Sequence, residues 1–579
     1  MRSTSLSPRL RPLLLAAPFV LLAPSASAWD AASTDLVSRS SGGALGNGPS
    51  GVGPGRPIAV TEDGRFIAFT SSASNLVPGD TNGATDVFLR DRDLGTTVRC
   101  SVGDSGQQGD GNCEMVAVSE DGRFVAYGSR SSNLVPGDSN GTLDVFLWDA
   151  TTGTSALVSR APGGSPGNGE STWPSVDGTG GRVVFQSLAS DLVASDANNQ
   201  RDCFVYDVST GLVDIVSLGP SDEPGTGPSV TPTISRDGRF VAFASGSTWD
   251  PLDPNGVTDI YVRDLVLRTT ELVGGQSGGY GLDLAEPSIS SGGRYVAFHS
   301  RSASIPGGST NGRWSVYRFD RQQDSFELIS RSTAGTSAAA DCFIGGMSVD
   351  GAWISFTTRD ANIVPSTTSA VVRCYVRRVD QEWTELISVG ETGQILDQVS
   401  EEPVVAGDGR FVCFRTADPD GAIGDGNLVQ DVLIRDRGFG TRSAGGTYCV
   451  STPNSSGVPA ELSVFGTNKL VDQQLILRAE FLPAGSLGYF LFSETPGDVL
   501  GFGNGQGRLC LGGQIFRLSN FIQSSGTGGE VTLPLPFAQL PPAATLSVGD
   551  TWNFQYWFRD AVAGQATSNT SSAVCVPLY

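Results

Sequence analysis

The chain alternates short apolar runs with polar turns, and one pattern recurs seven times between Gly64 and Gly409 at a period of about 58 residues. Each copy opens with a turn and an apolar run such as EDGRFIAF or RDGRFVAF. Each unit contains four strand-sized segments, of which this apolar run is the second. Gly, Asp, Asn and Pro separate the segments, and the helical period of 3.6 residues is absent. One such unit cannot bury its own apolar faces, so a fixed period of this length is typical of radial or solenoid arrays. The pattern predicts an all-β protein.

The second and third segments of each unit are apolar on both faces. In DVFLRD, Val87 and Leu89 point one way and Phe88 the other. The first segment carries a proline near its start in five units. This suits an edge strand, because proline has no backbone N–H to donate to a neighbouring strand. A sheet buried on both faces fits a blade between two neighbours. We therefore expect a seven-bladed β-propeller.

The two ends of the repeat indicate that the ring closes on itself. The seventh unit lacks an apolar fourth segment, since TRSAGG at residues 441–446 cannot serve as one. A matching segment, TDLVSR at residues 34–39, precedes the first unit instead. We expect this amino-terminal strand to complete the last blade and to cover an edge that would otherwise invite aggregation.

The strand pair S-x-DGRFVAF-x-S, followed by D-V-F-x-R-D and a closing LVS, resembles the WD40-like repeat of TolB-like β-propellers. The resemblance spans about residues 34–442 and implies a propeller fold. This repeat occurs on binding proteins, peptidase-associated propellers and lyases. The chain differs from TolB itself in having seven units instead of six and no α/β domain ahead of them.

The segments outside the repeat predict a leader and a second module. Residues 1–28 combine early arginines, an apolar run and Ala26-Ser27-Ala28, which are the features of a cleavable secretory signal. The propeller is expected over residues 29–444. From residue 445, segments such as LILRAEFLP, EVTLPLPF and TWNFQYWFRD predict a small β-sandwich that runs to residue 579.

The segments YCVSTPNSSG, LCLGG and TWNFQYWFRD of this last module resemble modules at the carboxyl ends of exported bacterial proteins. The role of those modules is unassigned; our hypothesis is surface retention or sorting, and carbohydrate binding is the alternative. Trp552, Phe554, Tyr556 and Phe558 alternate along one face, where core packing is the simpler interpretation and sugar stacking the other.

The composition narrows the classes of partner and of chemistry. The formal net charge is −22, and without a basic cluster the chain is not expected to bind nucleic acid. Lys469 and His299 are the only residues of their types, which rules out most chemistry that needs an activated lysine or a cluster of histidine ligands. The nine cysteines suggest a local pair of Cys100 with Cys113 and one bridge among Cys449, Cys510 and Cys575. The cysteines within strand-like segments are expected to be small buried hydrophobes.

A D-x-N-x-x-x-D pattern recurs in the loop between the second and third strands of five units. Alternating Asp and Asn before a turn glycine resembles the opening of calcium loops, because calcium prefers hard oxygen ligands. Asn-Gly is also a tight-turn signal, and Asp or Asn can cap such a turn without a metal. The candidate ligands are Asp80, Asn82 and Asp86; Asp138, Asn140 and Asp144; Asp196, Asn198 and Asp202; Asp253, Asn255 and Asp259; and Asp425, Asn427 and Asp431.

Motifs that would indicate an enzyme are weak in this sequence. G-x-S-x-G occurs at residues 163–167 and 275–279, but in Gly-rich loops without the strand and helix of a nucleophile elbow. GFGNGQG at residues 501–507 lacks the Walker lysine and reads as a hairpin connection. His299 occupies a strand position typical of a rim or packing residue. A propeller enzyme would need acid, Arg and Tyr side chains that converge on one channel mouth.

These features together favour an exported, non-enzymatic propeller that binds or scaffolds a protein or cell-envelope polysaccharide, with calcium as a candidate stabiliser. The protein would be monomeric, without a transmembrane segment in the mature chain, and periplasmic, surface-attached or secreted. The alternative is a propeller-fold enzyme, either a polysaccharide lyase or a hydrolase-like protein. We expect no catalytic residue and no organic cofactor.

Overall fold

The structure is a computed structural model that describes residues 33–577 apart from short gaps. The gaps are 195, 197, 250–256, 275–285, 310, 333–334, 365–366, 368–369, 380–382, 392–393, 408, 422–426, 438–445, 450–453, 456–459, 467–474, 501–507, 527–528, 536, 542–543, 545, 547–550 and 563–564. The expected leader lies outside these residues, so its boundary stays a prediction. Residues 438–445, where we place the start of the second module, are also outside them.

The repeat region folds into short antiparallel strands of similar length. The strands of its first half are β1 (Ser33–Leu36), β2 (Ile58–Val60), β3 (Phe66–Ser71), β4 (Asp86–Asp91), β5 (Thr96–Arg99), β6 (Cys113–Val118), β7 (Phe124–Ser129), β8 (Asp144–Asp149), β9 (Thr154–Leu157), β10 (Ser171–Val176), β11 (Arg182–Ser187), β12 (Asp202–Asp207), β13 (Leu212–Ile215), β14 (Ser229–Ile234), β15 (Phe240–Ser245), β16 (Asp259–Asp264) and β17 (Thr269–Leu272). Those of its second half are β18 (Ser288–Ile289), β19 (Tyr295–Ser300), β20 (Ser315–Asp320), β21 (Ser325–Leu328), β22 (Cys342–Met347), β23 (Trp353–Thr358), β24 (Arg373–Arg378), β25 (Trp383–Leu386), β26 (Ser400–Ala406), β27 (Phe411–Thr416) and β28 (Asp431–Asp436).

These strands form seven four-stranded sheets, the blades of a propeller. Blade 1 has the order β2-β3-β4-β5, and the next five blades repeat this order with successive strands. Blade 7 has the order β1-β28-β27-β26, so the amino-terminal strand completes it as expected. Leu36 of β1 pairs with Leu433 of β28. The predicted all-β fold, the seven blades and the closure are confirmed.

The repeated turn glycine has a steric role between blades. Gly64 has a φ of 69°, and a Cβ at this position would lie 2.3 Å from the ring of Phe411 in blade 7. The same approach recurs at Gly122, which faces the ring of Phe66 in blade 1. Only glycine combines the left-handed backbone with this close contact. The turn glycine therefore lets six of the seven blades pack on the aromatic residue of the preceding one, and in blade 4 Gly238 faces Asp177 instead.

The arginine and the last aspartate of the repeat pair within five of the seven blades, namely blades 1, 2, 4, 5 and 7. Arg65, at the start of β3, binds Asp91 at the end of β4 through two hydrogen bonds of 3.1 and 2.8 Å. Arg410 and Asp436 repeat this arrangement in blade 7 at 2.8 and 2.7 Å. Two parallel bonds fix the orientation of both groups. The pairing explains why DGRF and D-V-F-x-R-D occur together in one unit.

Paired aromatic rings fill the blades. In blade 1, Phe69 lies opposite Phe88 in the strand register, and their ring centroids are 5.9 Å apart. Both side chains are fully buried, as the apolar faces of these strands predict. Equivalent stacked pairs are Tyr127–Phe146, Phe185–Phe204, Phe243–Tyr261, Phe298–Tyr317 and Phe356–Tyr375.

The carboxyl-terminal segment contains two sheets that share one core. Its strands are β29 (Gly446–Cys449), β30 (Glu461–Gly466), β31 (Leu475–Glu480), β32 (Leu487–Ser493), β33 (Thr495–Leu500), β34 (Arg508–Gly512), β35 (Phe516–Arg517), β36 (Gln523–Ser524), β37 (Val531–Pro534), β38 (Thr551–Val562) and β39 (Gln565–Pro577), with 3₁₀ turns at Ser519–Phe521 and Phe537–Gln539. One sheet has the order β29-β39-β38-β32-β35 with β36 on β32, another β30-β31-β37, and β33 pairs with β34. Leu462 and Leu477 of the three-stranded sheet share a core cluster with Phe490 and Trp552 of the large sheet. This two-layer packing is that of a β-sandwich.

The aromatic stripe of β38 faces this core. Trp552, Phe554, Tyr556 and Phe558 are fully buried, so core packing is the correct interpretation and these rings are closed to sugars. The connection at residues 501–507 lies outside the described residues, and the strands on either side of it pair antiparallel, as a hairpin requires. None of the described residues belongs to a helix long and apolar enough to cross a membrane.

The cysteines differ in part from the sequence-based expectation. Cys100 and Cys113 are free, so the expected local pair is wrong in this structure. Both are buried in the core cluster of blades 1 and 2, and the Cys113 thiol lies 3.4 Å from the Ser129 hydroxyl. Cys510 carries a disulfide bond. The strand cysteines expected to be buried hydrophobes are buried and free, namely Cys203, Cys374 and Cys413.

Candidate functional site

A narrow cavity follows the axis of the ring. The first strands of all seven blades line it, mostly with small and aliphatic side chains such as Val60, Val118, Val176 and Ile289. Its volume is 190 Å³, whereas small-molecule sites usually measure about 300–1,000 Å³. A larger ligand must therefore meet the protein at one end of the channel.

One end of the channel is formed by the turns between the first and second strands, and we call it the tight-turn end. Arg236 of blade 4 reaches both Glu62 of blade 1, at 3.0 Å, and Glu120 of blade 2, at 2.5 Å. The Glu62 amide also donates to Glu120 Oε1 at 3.1 Å. Burial raises the pKa of Glu120, the Arg236 charge opposes this shift, and Glu62 adds to it. The network ties three blades together and narrows this end.

The opposite end carries the long loops, and we call it the long-loop mouth. In four blades one residue of the first strand has a left-handed backbone, with φ between 51° and 56°. The strand register shifts at or beside each of these positions, as at a β-bulge, and bulges re-aim side chains. Such a backbone is strained for residues other than glycine. The four residues are Met115, Trp173, Thr231 and Glu402.

Arg56 crosses the long-loop mouth. It belongs to blade 1, and its Nη2 donates a 3.0 Å hydrogen bond to the carbonyl oxygen of Pro287 in blade 5. These blades are not neighbours, so the side chain spans the opening. Its guanidinium also lies 5.9 Å from the ring centroid of Trp173 in blade 3. Groups from three blades therefore meet above the channel.

Carboxylates surround this arginine. Arg415 of blade 7 lies 3.0 Å from Glu401 and 3.7 Å from Glu402. The pKa of Glu402 is raised to about 7, chiefly by burial, and the charges of Glu286 and Glu401 add to the shift while Arg415 and Arg56 oppose it. Burial likewise raises the pKa of Glu286. The side chain of Glu402 keeps 35% of its surface exposed.

An aromatic group adjoins this cluster in blades 5 and 6. His299 packs edge-on against Trp314 and Phe343, with ring centroids 5.3 and 5.5 Å away. Burial lowers the pKa of His299 to about 4, so the ring is neutral at physiological pH. Phe343 is 44% exposed. His299 is thus a packing residue, and Phe343 presents apolar surface at the mouth.

The sequence singled out none of the charged residues at the long-loop mouth. Arg56, Trp173, Thr231, Glu286 and Glu402 each precede a proline of the first strand. That shared position could have identified them, because it lies in or just before the innermost strand of every blade that has it. Acid and Arg side chains from three blades converge here, which is one part of what the enzyme hypothesis requires, since that hypothesis also calls for a Tyr.

The Asp and Asn loops lie farther from the axis, beside the second and third strands. The last Asp of each loop is buried, and in blades 1, 2, 3 and 7 a serine two residues beyond the fourth strand donates to it, as Ser101 does to Asp86 at 2.5 Å. The Asn side chain donates to the same Asp and to a backbone carbonyl, as Asn82 does to Asp86 and to Gly109 O. Equivalent serine bonds join Ser159 to Asp144, Ser217 to Asp202 and Ser38 to Asp431.

These bonds give the loops a structural role that needs no metal. Asp253, Asn255 and Asp425 lie outside the described residues, and Asp259 and Asp431 start the third strands of their blades. No group of three or more His, Cys, Asp or Glu side chains that could hold a metal occurs in the described part of the chain. Calcium would therefore depend on amide, backbone or water oxygens as well.

The buried acids of these loops share a raised pKa. Burial raises the pKa of Asp144 and of Asp202 to about 6, and the nearby Asp138 or Asp196 carboxylate adds to the shift. The pKa of Asp86 is also raised by burial, although its bonds to Ser101 and Asn82 and the charge of Arg99 oppose the change. Ionised carboxylates at these positions therefore benefit from a nearby cation.

Seven four-stranded blades around one channel define the chain as a β-propeller. The resemblance of the repeat to WD40-like and TolB-like propellers is confirmed at the level of the fold. The resemblance of the carboxyl-terminal segment to modules of exported proteins stays a prediction.

No protein-family model matches the chain, and no curated protein matches it. Similar solved structures include a TolB-type protein from Agrobacterium tumefaciens, with 17% identity, 47% of this chain and 79% of that chain covered, and a TM-score of 0.30. A prolyl endopeptidase has 11% identity, with 76% of this chain and 55% of that chain covered and a TM-score of 0.41. The WD40 repeats of RRP9 have 11% identity, with 69% and 99% covered and a TM-score of 0.34.

Proposed function

We propose that this protein is an exported, non-enzymatic propeller that binds or scaffolds a partner at the cell envelope or surface. The long-loop mouth is the binding surface in this proposal. The partner is a protein or a cell-envelope polysaccharide. The secretory features of residues 1–28 support export, and the net charge of −22 argues against a nucleic-acid partner.

The observation that carries the proposal is the contrast between the channel and its mouth. The channel holds 190 Å³ and presents mostly aliphatic side chains. The mouth presents Arg56, Trp173 and Phe343 on strands fixed by blade packing. Arg and aromatic side chains dominate the binding energy of many interfaces. A rigid frame with charged and aromatic groups at an open rim suits recognition of a large partner better than enclosure of a small one.

The proposal is tested with the mature chain, residues 29–579, immobilised and exposed to an envelope extract. The double variant Arg56→Gln/Trp173→Ala removes the two groups that meet above the channel. The matched control is Arg123→Gln, an exposed arginine of blade 2 at the tight-turn end, whose side chain keeps 45% of its surface. We expect the wild type and the control to retain the same component and the double variant to lose it. Equal retention by all three proteins would contradict binding at the mouth.

A propeller-fold enzyme is the second candidate, and Glu402 is the observation that favours it. A carboxyl with a pKa of about 7, beside Glu286, Glu401 and Arg415, has the properties of a general acid or base. Such a group would act on a polysaccharide or peptide drawn into the mouth. Turnover of acidic polysaccharides or peptides that Glu402→Gln abolishes, with retention of the substrate, would establish this function over the first.

Calcium is part of the proposal as a stabiliser of the propeller. The alternating Asp and Asn residues of the loops and the raised pKa of their buried acids support it. Thermal unfolding of residues 29–579 with millimolar calcium and with excess chelator tests this part. A ligand that binds only the folded state at about 100 times its dissociation constant adds about 2.7 kcal/mol. Identical melting curves would contradict a stabilising role.

A further inference from the structure

In blade 1, an arginine of the same blade lies beside the acidic residues of the Asp and Asn loop. Arg99, the last residue of β5, places Nη1 3.3 Å from Asp80 Oδ1 and 3.6 Å from Asp86 Oδ2. The exposed fractions of these side chains are 11%, 4% and 0%. Buried carboxylates need such a partner, because burial disfavours their charged form. The guanidinium therefore balances two acids at once.

Blade 3 repeats the two acids without the arginine. Phe88 pairs with Arg99 in blade 1, and Phe204 pairs with Ile215 in blade 3, so Ile215 takes the place of Arg99. Asp196 and Asp202 are the counterparts of Asp80 and Asp86 in the loop. Ile215 is buried and apolar, so it brings no charge to them.

The carboxylate oxygens of blade 3 lack donors. Asp202 is fully buried, and its Oδ1 accepts a 2.7 Å hydrogen bond from Ser217. Its Oδ2 makes no hydrogen bond of standard geometry among the described residues, although the Asn198 side chain opposes the burial that raises the pKa of this carboxyl. Both oxygens of Asp196 are also buried and make no such hydrogen bond there, with the Asn198 backbone amide as the group that opposes the rise in its pKa. Three buried oxygens from two acids are thus left without a well-aligned donor.

The loop asparagine explains why the hydrogen bonds of the last Asp differ between blades 2 and 3. Asn140 donates to Asp144 Oδ2 at 2.7 Å and to Gly167 O at 3.0 Å. In blade 3, Asn198 donates to Gly225 O at 3.1 Å and makes no hydrogen bond of standard geometry to Asp202 Oδ2. Asp202 Oδ2 is therefore available to another ligand in blade 3, whereas Asp144 Oδ2 is engaged.

We propose that Asp196 and Asp202 bind a calcium ion at the position that the Arg99 guanidinium fills in blade 1. The inference rests on the calcium part of the proposed function and names the loop that carries it. Three carboxylate oxygens are hard ligands of the kind calcium prefers, and water or backbone oxygens complete its shell of six to eight. Magnesium demands a tighter octahedral geometry. With so few protein ligands, we expect a dissociation constant on the order of 10⁻⁴–10⁻³ M.

Equilibrium dialysis of residues 29–579 against radiolabelled calcium at pH 7.5 tests the site. Asp196→Asn removes one of the two acids at a partly exposed position. This variant is expected to bind one calcium fewer per chain than the wild type. The matched control, Asp104→Asn, removes an exposed acid in a turn at the same end of the propeller and is expected to lose none. Equal calcium binding by the wild type and Asp196→Asn would overturn the inference.

A second variant tests the comparison between blades. Ile215→Arg gives blade 3 the arginine of blade 1, and a folded variant is expected to bind one calcium fewer than the wild type. If it folds and binds the same number, the inference is wrong; if it does not fold, Asp196→Asn decides. If the wild type binds calcium and both variants bind the same number of ions, this inference alone is wrong. A wild type that binds no calcium overturns the calcium part of the proposed function as well, while capture at the mouth is measured independently.

Discussion

Arg435 in the third strand of blade 7 donates a 3.2 Å hydrogen bond from Nη1 to the hydroxyl of Thr34, across 401 residues of sequence. The Thr34 hydroxyl in turn donates to the carbonyl of Val389 in blade 6 at 2.7 Å. These bonds accompany the antiparallel pairing of β1 with β28. The two ends of the propeller are therefore held together at one buried point.

Leu36→Ala is expected to destabilise the closed ring. Leu36 is 5% exposed and belongs to a core cluster with Trp353 and Leu433. Truncation of a buried leucine costs about 2–5 kcal/mol through lost burial and the cavity it leaves. Urea unfolding followed by tryptophan fluorescence measures the change. Leu94→Ala, at a position that is 69% exposed, is the control and should shift the free energy by less than about 0.5 kcal/mol. Equal effects of the two variants on the free energy of unfolding would contradict a stabilising role of the closing strand.

Glu402→Gln is expected to stabilise the propeller more at pH 8 than at pH 5. The pKa of Glu402 is about 7 in the folded protein and near 4.3 in an unfolded chain. The folded state thus binds more protons between these values, and its stability falls as the pH rises through about 7. Glutamine removes this penalty. Melting temperatures from pH 4 to pH 9 measure it, and parallel curves for the variant and the wild type would contradict the assignment.

Arg99→Leu is expected to destabilise blade 1 by about 3–5 kcal/mol at pH 8, because it leaves Asp80 and Asp86 buried without their cation. Burial already raises the pKa of both acids. Protonation at lower pH removes their charge, so the loss should be smaller at pH 5. Chemical unfolding at both pH values checks this. Arg123→Gln, an exposed pair with Asp149, is the control and should cost about 0–1 kcal/mol. A loss that is equal at the two pH values would argue against the electrostatic explanation.

The six free thiols are expected to resist alkylation in the folded protein. All six are buried, and burial raises the pKa of each, to about 12 for Cys113, Cys342 and Cys413. The thiolate is the reactive form, so both effects slow the reaction. Iodoacetamide treatment at pH 8 with peptide mapping measures labelling before and after denaturation. Rapid labelling of Cys100 or Cys113 in the native protein would show that blades 1 and 2 open readily.

The fold was predictable because each repeated motif has a local physical role. The turn glycine, as at Gly64, appears in every copy of the pattern, and the aromatic residue, as at Phe411, appears in every copy but the third, so the same packing of one blade on the next recurs six times. The orphan segment that becomes β1 was recognisable for the same reason. Register between successive strands follows from the alternation of buried and turn residues.

The candidate site was less predictable because its contacts join distant blades. Arg56 meets the carbonyl of Pro287 across the channel, and Glu402 meets Glu286, although no motif connects these residues. Their proximity depends on the closure of the ring and on left-handed bulges that sequence patterns do not reveal. The Asp and Asn loops, by contrast, were visible as a motif. The replacement of Arg99 by Ile215 could have been found by comparing the fourth strands of the units.

The affinity of the captured envelope component for single variants of the long-loop mouth tests the central proposal most directly. Biolayer interferometry would compare the wild type, Arg56→Gln, Trp173→Ala and the control Arg123→Gln. We predict that each mouth variant raises the dissociation constant at least about tenfold, equivalent to about 1.4 kcal/mol of binding free energy. The control is expected to bind like the wild type. Wild-type affinity in both mouth variants would contradict the assignment of this surface as the binding site.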